Sequence, residues 1–294
     1  MKVIQTISDL RTARAALGDD VGVVTTMGAL HAGHMALVKQ ARFDNERVLV
    51  TIFVNPTQFG PDEDLGSYPR TLERDLQLLE TAGVDVVFTP TPELMYPDGY
   101  QTYVDVENVS QRLEGIHRDG HFRGVATVVS KLFNMTQPAR AYFGQKDAQQ
   151  VVVIRRMVRD LNFPVDVIVV PTIREDDGLA MSSRNAYLSP QEREAATVLY
   201  RSLQAAATLY DNSERHPEKL RQAMWAALNS EPLATVDYVS AADVLTLDEL
   251  QSPTDAPILL SLTVQIGKPR LLDNLLLPAH LNTVTGLTAT LGAE

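Results

Sequence analysis

The chain contains no cysteine. That absence removes disulfides, thiolate zinc sites and thiol nucleophiles together. Basic charge is also short, with 26 Lys and Arg against 37 Asp and Glu and a formal charge of −11. Nonspecific attraction to nucleic acid or an anionic membrane is thereby disfavoured, and an anionic ligand has to be captured by a local basic cluster. No apolar run approaches the roughly 18 residues of a membrane span. The N-terminal stretch MKVIQTISDLRTARAALG reads as a short strand and a helix, without the apolar core of a secretory signal. These absences predict a soluble, cytoplasmic protein with neither nucleic acid nor membrane as a partner. Internal repeats and low-complexity segments are missing too. No GxGxxG follows the first strands, which argues against a dinucleotide dehydrogenase.

What is present is a globular composition, 45% hydrophobic and 21% charged over 294 residues, enough for two domains with full cores. Short Val-rich runs at 21–26, 47–55, 84–90 and 165–173 have the character of strands buried on both faces of a parallel sheet. Between them lie helical patterns, with Leu37, Val38 and Ala41 in one, and Leu72, Leu76 and Leu79 in another that Gly83 closes. Two further helices follow, one with Val125, Val128, Val129, Leu132 and Phe133 on a face, the other with Val151, Ile154, Val158 and Leu161. This alternation predicts an α/β, doubly wound, Rossmann-like parallel sheet whose ligands sit at the carboxyl ends of the strands. After residue 184 the pattern changes. Ser189, Pro190 and Glu192 make a strong helix start, a second helix follows His216 and Pro217, and strands return in VDYVSAADV, ILLSLTVQIG and RLLDNLLL. We therefore expect a first domain over 1–184 and a smaller α+β domain over 185–294.

The stretch TTMGALHAGH, residues 25–34, ends a strand with glycines around two histidines. If the helix begins at Gly33 or His34, the glycines let backbone pass close to a ligand where unpaired N–H groups and the helix dipole favour phosphate. Each imidazole of His31 and His34 can donate to a phosphate oxygen. The alternative is a Gly-punctuated turn that the histidines merely cap. FVNPTQF ends the next strand, so Asn55 and Gln58 are expected to face the same crevice, where amides suit a ligand bearing hydroxyls and a carboxylate. In FGQKDAQQ, Asp147 and Gln150 fit a capping box, yet Lys146 beside a helix start repeats the phosphate logic. REDDGLAMSSRN supplies two serines and Arg184, hydroxyl donors and a forked cation suited to polyphosphate, or simply an Asp-Gly turn. HRDGHFRG, with Arg123, reads as a basic loop, either a cationic flap or exposed chain.

Taken together, TMGALHAGH, FVNPTQF, EDLGSYPRT, HFRGVATVVSKLFN, FGQKDAQQ, REDDGLAMSSRN and the late RLLDN resemble the signature segments of the pantoate–β-alanine ligase (pantothenate synthetase) family, within the HxGH nucleotidyltransferase superfamily. One position departs, since the family usually has Pro where Thr25 stands. The resemblance implies a two-step reaction in which the pantoate carboxylate attacks the α-phosphate of ATP, and the amine of β-alanine then displaces AMP. Mg²⁺ is implied as the companion of ATP, with no protein ligand to the metal assigned and no tightly bound organic cofactor. By analogy His34 is the acid or transition-state stabiliser, supported by His31, Lys146 and Arg184. Met27, Gly28, Ala29, Leu30, His31, Ala32, Gly33 and His34 would hold ATP together with Gly144, Gln145, Lys146, Asp147, Ile173, Met181, Ser182, Ser183 and Arg184. Gln58 and Gln150 would bind pantoate, Gln58 also lying near β-alanine, with Asn55 and Arg123 as further substrate contacts. An acyl adenylate hydrolyses easily, so a cover is expected, and residues 185–294 are the candidate lid. The family also implies a homodimer. A transferase that leaves its nucleotide on the acceptor, and a module that senses ATP without chemistry, are the competing readings.

Overall fold

The computed structural model describes residues 1–61 and 63–292. The chain divides into two units, Met1–Phe143 with Val153–Val170, and Gly144–Val152 with Pro171–Glu294.

The first unit begins with β1 (Lys2–Ile4), α1 (Ile7–Ala15), β2 (Val21–Thr26), α2 (Ala32–Asp44), β3 (Arg47–Ile52), α3 (Leu72–Thr81) and β4 (Val86–Phe88). It continues with the short α4 (Pro92–Met95) and α5 (Glu114–His117), then α6 (His121–Thr136), β5 (Arg140–Gly144), the part of α7 (Ala148–Asp160) from Val153 onward, and β6 (Asp166–Val170). The strands form one sheet in the order β1-β4-β3-β2-β5-β6. The pairings of β1 with β4, β3 with β4, and β2 with both β3 and β5 are parallel. The α/β expectation therefore holds. Strand order reverses at β2, which places the loop leaving β2 at a topological switch point, where such sheets bind ligands. Thr25 pairs with Thr51, and β2 continues to Thr26. One strand, β5, is not foreseen from the sequence, because ARAYF offers only three consecutive apolar residues and no Val run. The α2 stripe of Leu37, Val38 and Ala41 packs on Val24, Val48, Val50 and Val87 of the sheet, and each large side chain so buried contributes about 1.5–3 kcal/mol.

In the second unit, α8 (Pro190–Ala195), α9 (Val198–Asp211) and α10 (Pro217–Leu228) precede β7 (Ala234–Asp243), β8 (Ile258–Ile266) and β9 (Arg270–Leu277), an antiparallel sheet followed by α11 (Val284–Thr290). The capping box of Ser189 and Glu192 forms as expected. Alternate residues of β8, Ile258, Leu260, Leu262, Val264 and Ile266, join Leu199, Leu203, Leu220 and Met224 in one core, while Leu259, Ser261 and Thr263 on the strand's other face are buried as well and Gln265 is exposed.

The second unit resumes after Val170 and takes in Gly144–Val152, where a boundary near 185 was expected. Two polar ties account for it. Arg174 donates twice to Asp273 on β9, at 2.6 and 2.9 Å. Asn274 beside it donates to the carbonyls of Gln145 and Lys146 at 3.0 and 2.8 Å. Both tied segments therefore belong with the three-stranded sheet.

Candidate active site

In the first unit, the turn after β2 is built on two consecutive residues of positive φ, Gly28 (84°) and Ala29 (51°). A Cβ on Gly28 would lie 3.1 Å from Ile52 and 3.2 Å from a carboxylate oxygen of Asp75, so glycine is needed there for both conformation and space. Asp75, 1% exposed, accepts from the amides of Ala29 and Leu30, each at 2.9 Å, and from the Thr71 hydroxyl. Gly28 N–H is met by Thr26 Oγ1. The helix α2 begins at Ala32, one residue before the expected start, with His31 as its N-cap. His31 Nδ1 accepts from Gly33 N–H at 3.1 Å, and His34 Nδ1 accepts from His31 N–H at 3.3 Å. The two rings stand 4.1 Å apart between centroids, tilted by 46°.

Five amides of the expected phosphate cradle, those of Gly28, Ala29, Leu30, His31 and Gly33, already have partners within the chain, and the Leu30 side chain is buried at 1% exposure. Backbone donation from Gly28 to His31 is thus spoken for. Both imidazoles take part in capping the turn, and that has a chemical consequence. An Nδ1 that accepts a backbone hydrogen bond leaves the ring proton on Nε2, so the cap sets both imidazoles as Nε2–H donors.

The FVNPTQF segment forms a single 3₁₀ turn at Pro56–Gln58. Asn55, expected as a substrate contact, is 1% exposed. Its Nδ2 donates to Gln58 Oε1 and the Gly124 carbonyl, and its Oδ1 accepts from Thr57 and from the Tyr96 hydroxyl, the latter at 2.8 Å. Burial pushes the Tyr96 pKa up to about 12, so that phenol remains a donor. Gln58 itself is half-buried, with Oε1 turned to Asn55 and Nε2 donating to the Met27 sulfur at 3.3 Å. A thioether is a weak acceptor, and Gln58 and Met27, both predicted site residues, are brought together here. Arg123 is exposed and lies over the Tyr103 ring at 4.1 Å. The expected basic loop is largely helical, since α5 runs to His117 and α6 starts at His121.

In the second unit, Gln145–Asp147 is a 3₁₀ turn immediately before α7. The Gln145 side chain is 2% exposed, donates to Asn282 Oδ1 at 2.6 Å and accepts from Thr172 N–H, which commits it to structure. The Lys146 side chain is 22% exposed, with Asp147 Oδ1 3.8 Å away. Gln150 on α7 is half-buried. Residues 173–181 form a hairpin around the Asp-Gly turn, with Met181 N–H bonded to the Ile173 carbonyl at 2.9 Å. Gly178 there has φ 93°. Ser182 caps the following 3₁₀ helix, Ser183–Tyr187, by accepting from Arg184 N–H. The hairpin thus delivers Met181, Ser182, Ser183 and Arg184 as one half-buried run.

The family model described as Pantoate-beta-alanine ligase matches residues 2–276. The chain belongs to the pantoate–β-alanine ligase family. Among relatives, the pantothenate synthetase of Roseiflexus castenholzii is 60% identical over 279 residues, 95% of this chain and 100% of its own length. A solved pantothenate synthetase from Thermus thermophilus superimposes with a TM-score of 0.90 at 49% identity, over 94% of this chain and 99% of that one. A pantoate–β-alanine ligase from Francisella tularensis, solved in complex with β-γ ATP and β-alanine, gives a TM-score of 0.77 at 36% identity, over 94% and 97% of the two chains.

The hydrogen bonds of the structure draw attention to residues whose part is not read from the sequence. Asp75 falls among Leu72, Leu76 and Leu79, so a charge inside an apolar helical stripe was the available signal. Asp273 and Asn274 similarly interrupt the apolar run of β9, and both are 2% exposed. His121 precedes Val125 and Val128 at helical spacing, a lone polar residue on a buried face.

Proposed function

We propose that the chain condenses pantoate with β-alanine using ATP. A carboxylate oxygen of pantoate attacks the α-phosphorus and pyrophosphate leaves, giving pantoyl adenylate. The amine of β-alanine then attacks the acyl carbon, the new amide bond forms, and AMP departs with the C–O bond electrons. A carboxylate is already ionised at neutral pH, so the first step calls for alignment and neutralisation of phosphate charge rather than a strong base.

The observation that carries this reading is the pair of capped histidines. Two Nε2–H donors fixed on one helix turn suit phosphate oxygens, and His34 is assigned to stabilise the transition state with His31 beside it. Lys146, Ser182, Ser183 and Arg184 of the second unit are assigned to the phosphates, with Met27, Ala32, Gly33, Gly144, Asp147 and the backbone at Ile173 and Met181 completing the ATP set. Gln58 and Gln150 are assigned to pantoate, and Arg123 is kept as a substrate contact. Mg²⁺ enters as part of the nucleotide substrate. Among the described residues no cluster of three or more His, Asp or Glu could hold an ion, so no protein ligand is named for it. Residues 185–294 are assigned as the cover over the adenylate. A cytoplasmic location and a homodimer belong to the same reading; no helix among the described residues is long and apolar enough to cross a membrane.

Omitting each substrate in turn tests the scheme. Pyrophosphate should appear with ATP, Mg²⁺ and pantoate alone, and AMP only once β-alanine is added. A stable nucleotide conjugate would instead make the chain a transferase. His34→Ala should slow pyrophosphate release on the order of 10²-fold, and near-normal release by the folded variant would remove His34 from the mechanism.

A further inference from the structure

We propose that His121, at the start of α6, is a positioning residue that fixes Gln58 through its main chain, and so governs pantoate binding without touching the substrate. The proposal rests on the reading that Gln58 binds pantoate. His121 is 8% exposed, and its Nδ1 lies 2.8 Å from the Gln58 carbonyl. A carbonyl only accepts, so Nδ1 carries the proton and Nε2 is left to accept from Arg118 Nη1 at 3.1 Å. The ring is therefore held in one tautomer from both sides, and it donates in one direction. Burial, reinforced by the adjacent Arg118 charge, lowers the His121 pKa to about 4, which keeps that neutral tautomer at neutral pH.

Further contacts tie the segment around Gln58 to its surroundings, and among the described residues His121 supplies the hydrogen bond of good geometry to this carbonyl. Arg118 Nη2 also approaches the Gln58 carbonyl, but at 3.5 Å, beyond the range of a sound hydrogen bond. Arg118 instead pairs with Glu63 through two contacts, at 2.9 and 2.5 Å, tying the chain five residues past Gln58. At Gly124, one turn along α6, a Cβ would stand 2.2 Å from the Thr57 carbonyl and 2.7 Å from Gln58 N, so helix and segment meet at backbone contact. With the main chain pinned by His121 and the side-chain oxygen by Asn55, the Gln58 amide is left with its NH₂ edge against a thioether. That edge is the donor a carboxylate or hydroxyl of pantoate would meet.

The test compares His121→Leu, which removes the donor, with His121→Asn, whose side-chain N–H replaces Nδ1–H. Gln58→Ala runs in parallel. Loss of one such neutral hydrogen bond should raise the pantoate KM roughly 3- to 10-fold in His121→Leu, with the ATP KM and kcat changed less than about 2-fold. His121→Asn should return most of the pantoate KM. If His121→Leu cannot be obtained folded, His121→Gln, which displaces its N–H by one methylene, takes its place with the same expectation. Equal pantoate KM values for the donor-lacking and Asn variants, or a change falling equally on ATP, would overturn the positioning role. Gln58→Ala without effect on pantoate would instead overturn the site reading on which it rests.

Discussion

A single buried carboxylate shapes the histidine turn. Asp75 receives two backbone N–H groups that belong to residues 45 and 46 positions earlier in the chain, so it substitutes for the hydrogen bonds that the Gly28–Ala29 reversal cannot make for itself. Asp75→Ala would strand both amides in a buried place, and hydrogen bonds to a charged acceptor contribute about 1.5–3 kcal/mol each. We expect this variant to lose on the order of 3 kcal/mol in urea denaturation; an unchanged midpoint would show that the turn holds without its carboxylate. At this scale the sequence was half legible. The residue types of the site, two histidines, Gln58, Lys146, two serines and Arg184, stood out because they recur at strand ends and helix starts of one chain. The residues that orient them did not, because Asp75, Asn274 and His121 act across long sequence separations, and a hydrogen bond between distant residues leaves only the faint mark of a polar residue in an apolar stripe.

Among the elements, α6 carries most on one position. It approaches the Pro56–Gln58 turn so closely that Gly124 has no room for a methyl group beside the Thr57 carbonyl. Its φ is ordinary for a helix, so the demand is one of space and not of backbone freedom. Gly124→Ala must push the helix or the turn aside, and overpacking of this kind costs about 1–3 kcal/mol, even though Ala is the better helix former. Thermal unfolding should therefore show destabilisation, and a stabilised variant would contradict the close approach. The helices and Val-rich strands were legible because their periodicities are strong and their caps regular, as Ser189 and Glu192 illustrate. Strand β5 was not, since its burial comes from neighbours on both sides and not from its own composition. The serine hairpin was read as a loop because only its Asp-Gly corner marks it; the pairing of Glu175 with Leu179 and Met181 with Ile173 has no composition of its own.

For the molecule as a whole, His121 makes stability depend on acidity. Its folded-state pKa of about 4 lies below the ordinary 6.5, so between those values the unfolded chain takes up a proton that the folded chain refuses. Stability is then fully present above about pH 6.5 and falls as the pH drops toward 4, by on the order of 3 kcal/mol. The groups around the ring are Arg118, which opposes its charge, and Glu63 and Glu114, which favour it less strongly than burial disfavours it. The carboxylates with lowered pKa, among them Glu214 at about 2 through Lys219 and backbone donors, lose their contribution at lower pH. The window from about 6.5 to about 4.5 lies above the ordinary carboxylate range, so the part of any slope there that depends on the residue at 121 reports this ring. Chemical denaturation across it should show a slope in the parent chain that His121→Asn flattens, and parallel curves would deny the buried neutral ring.

The turn that follows β2 satisfies its own amides through Asp75, Thr26 and two imidazoles. Whatever molecule settles there meets a turn whose backbone is already paired, so this turn has nothing to order on its arrival. Its entropy of association should carry no folding contribution, and its rate of capture should be set by collision and charge, not by a search through loop conformations.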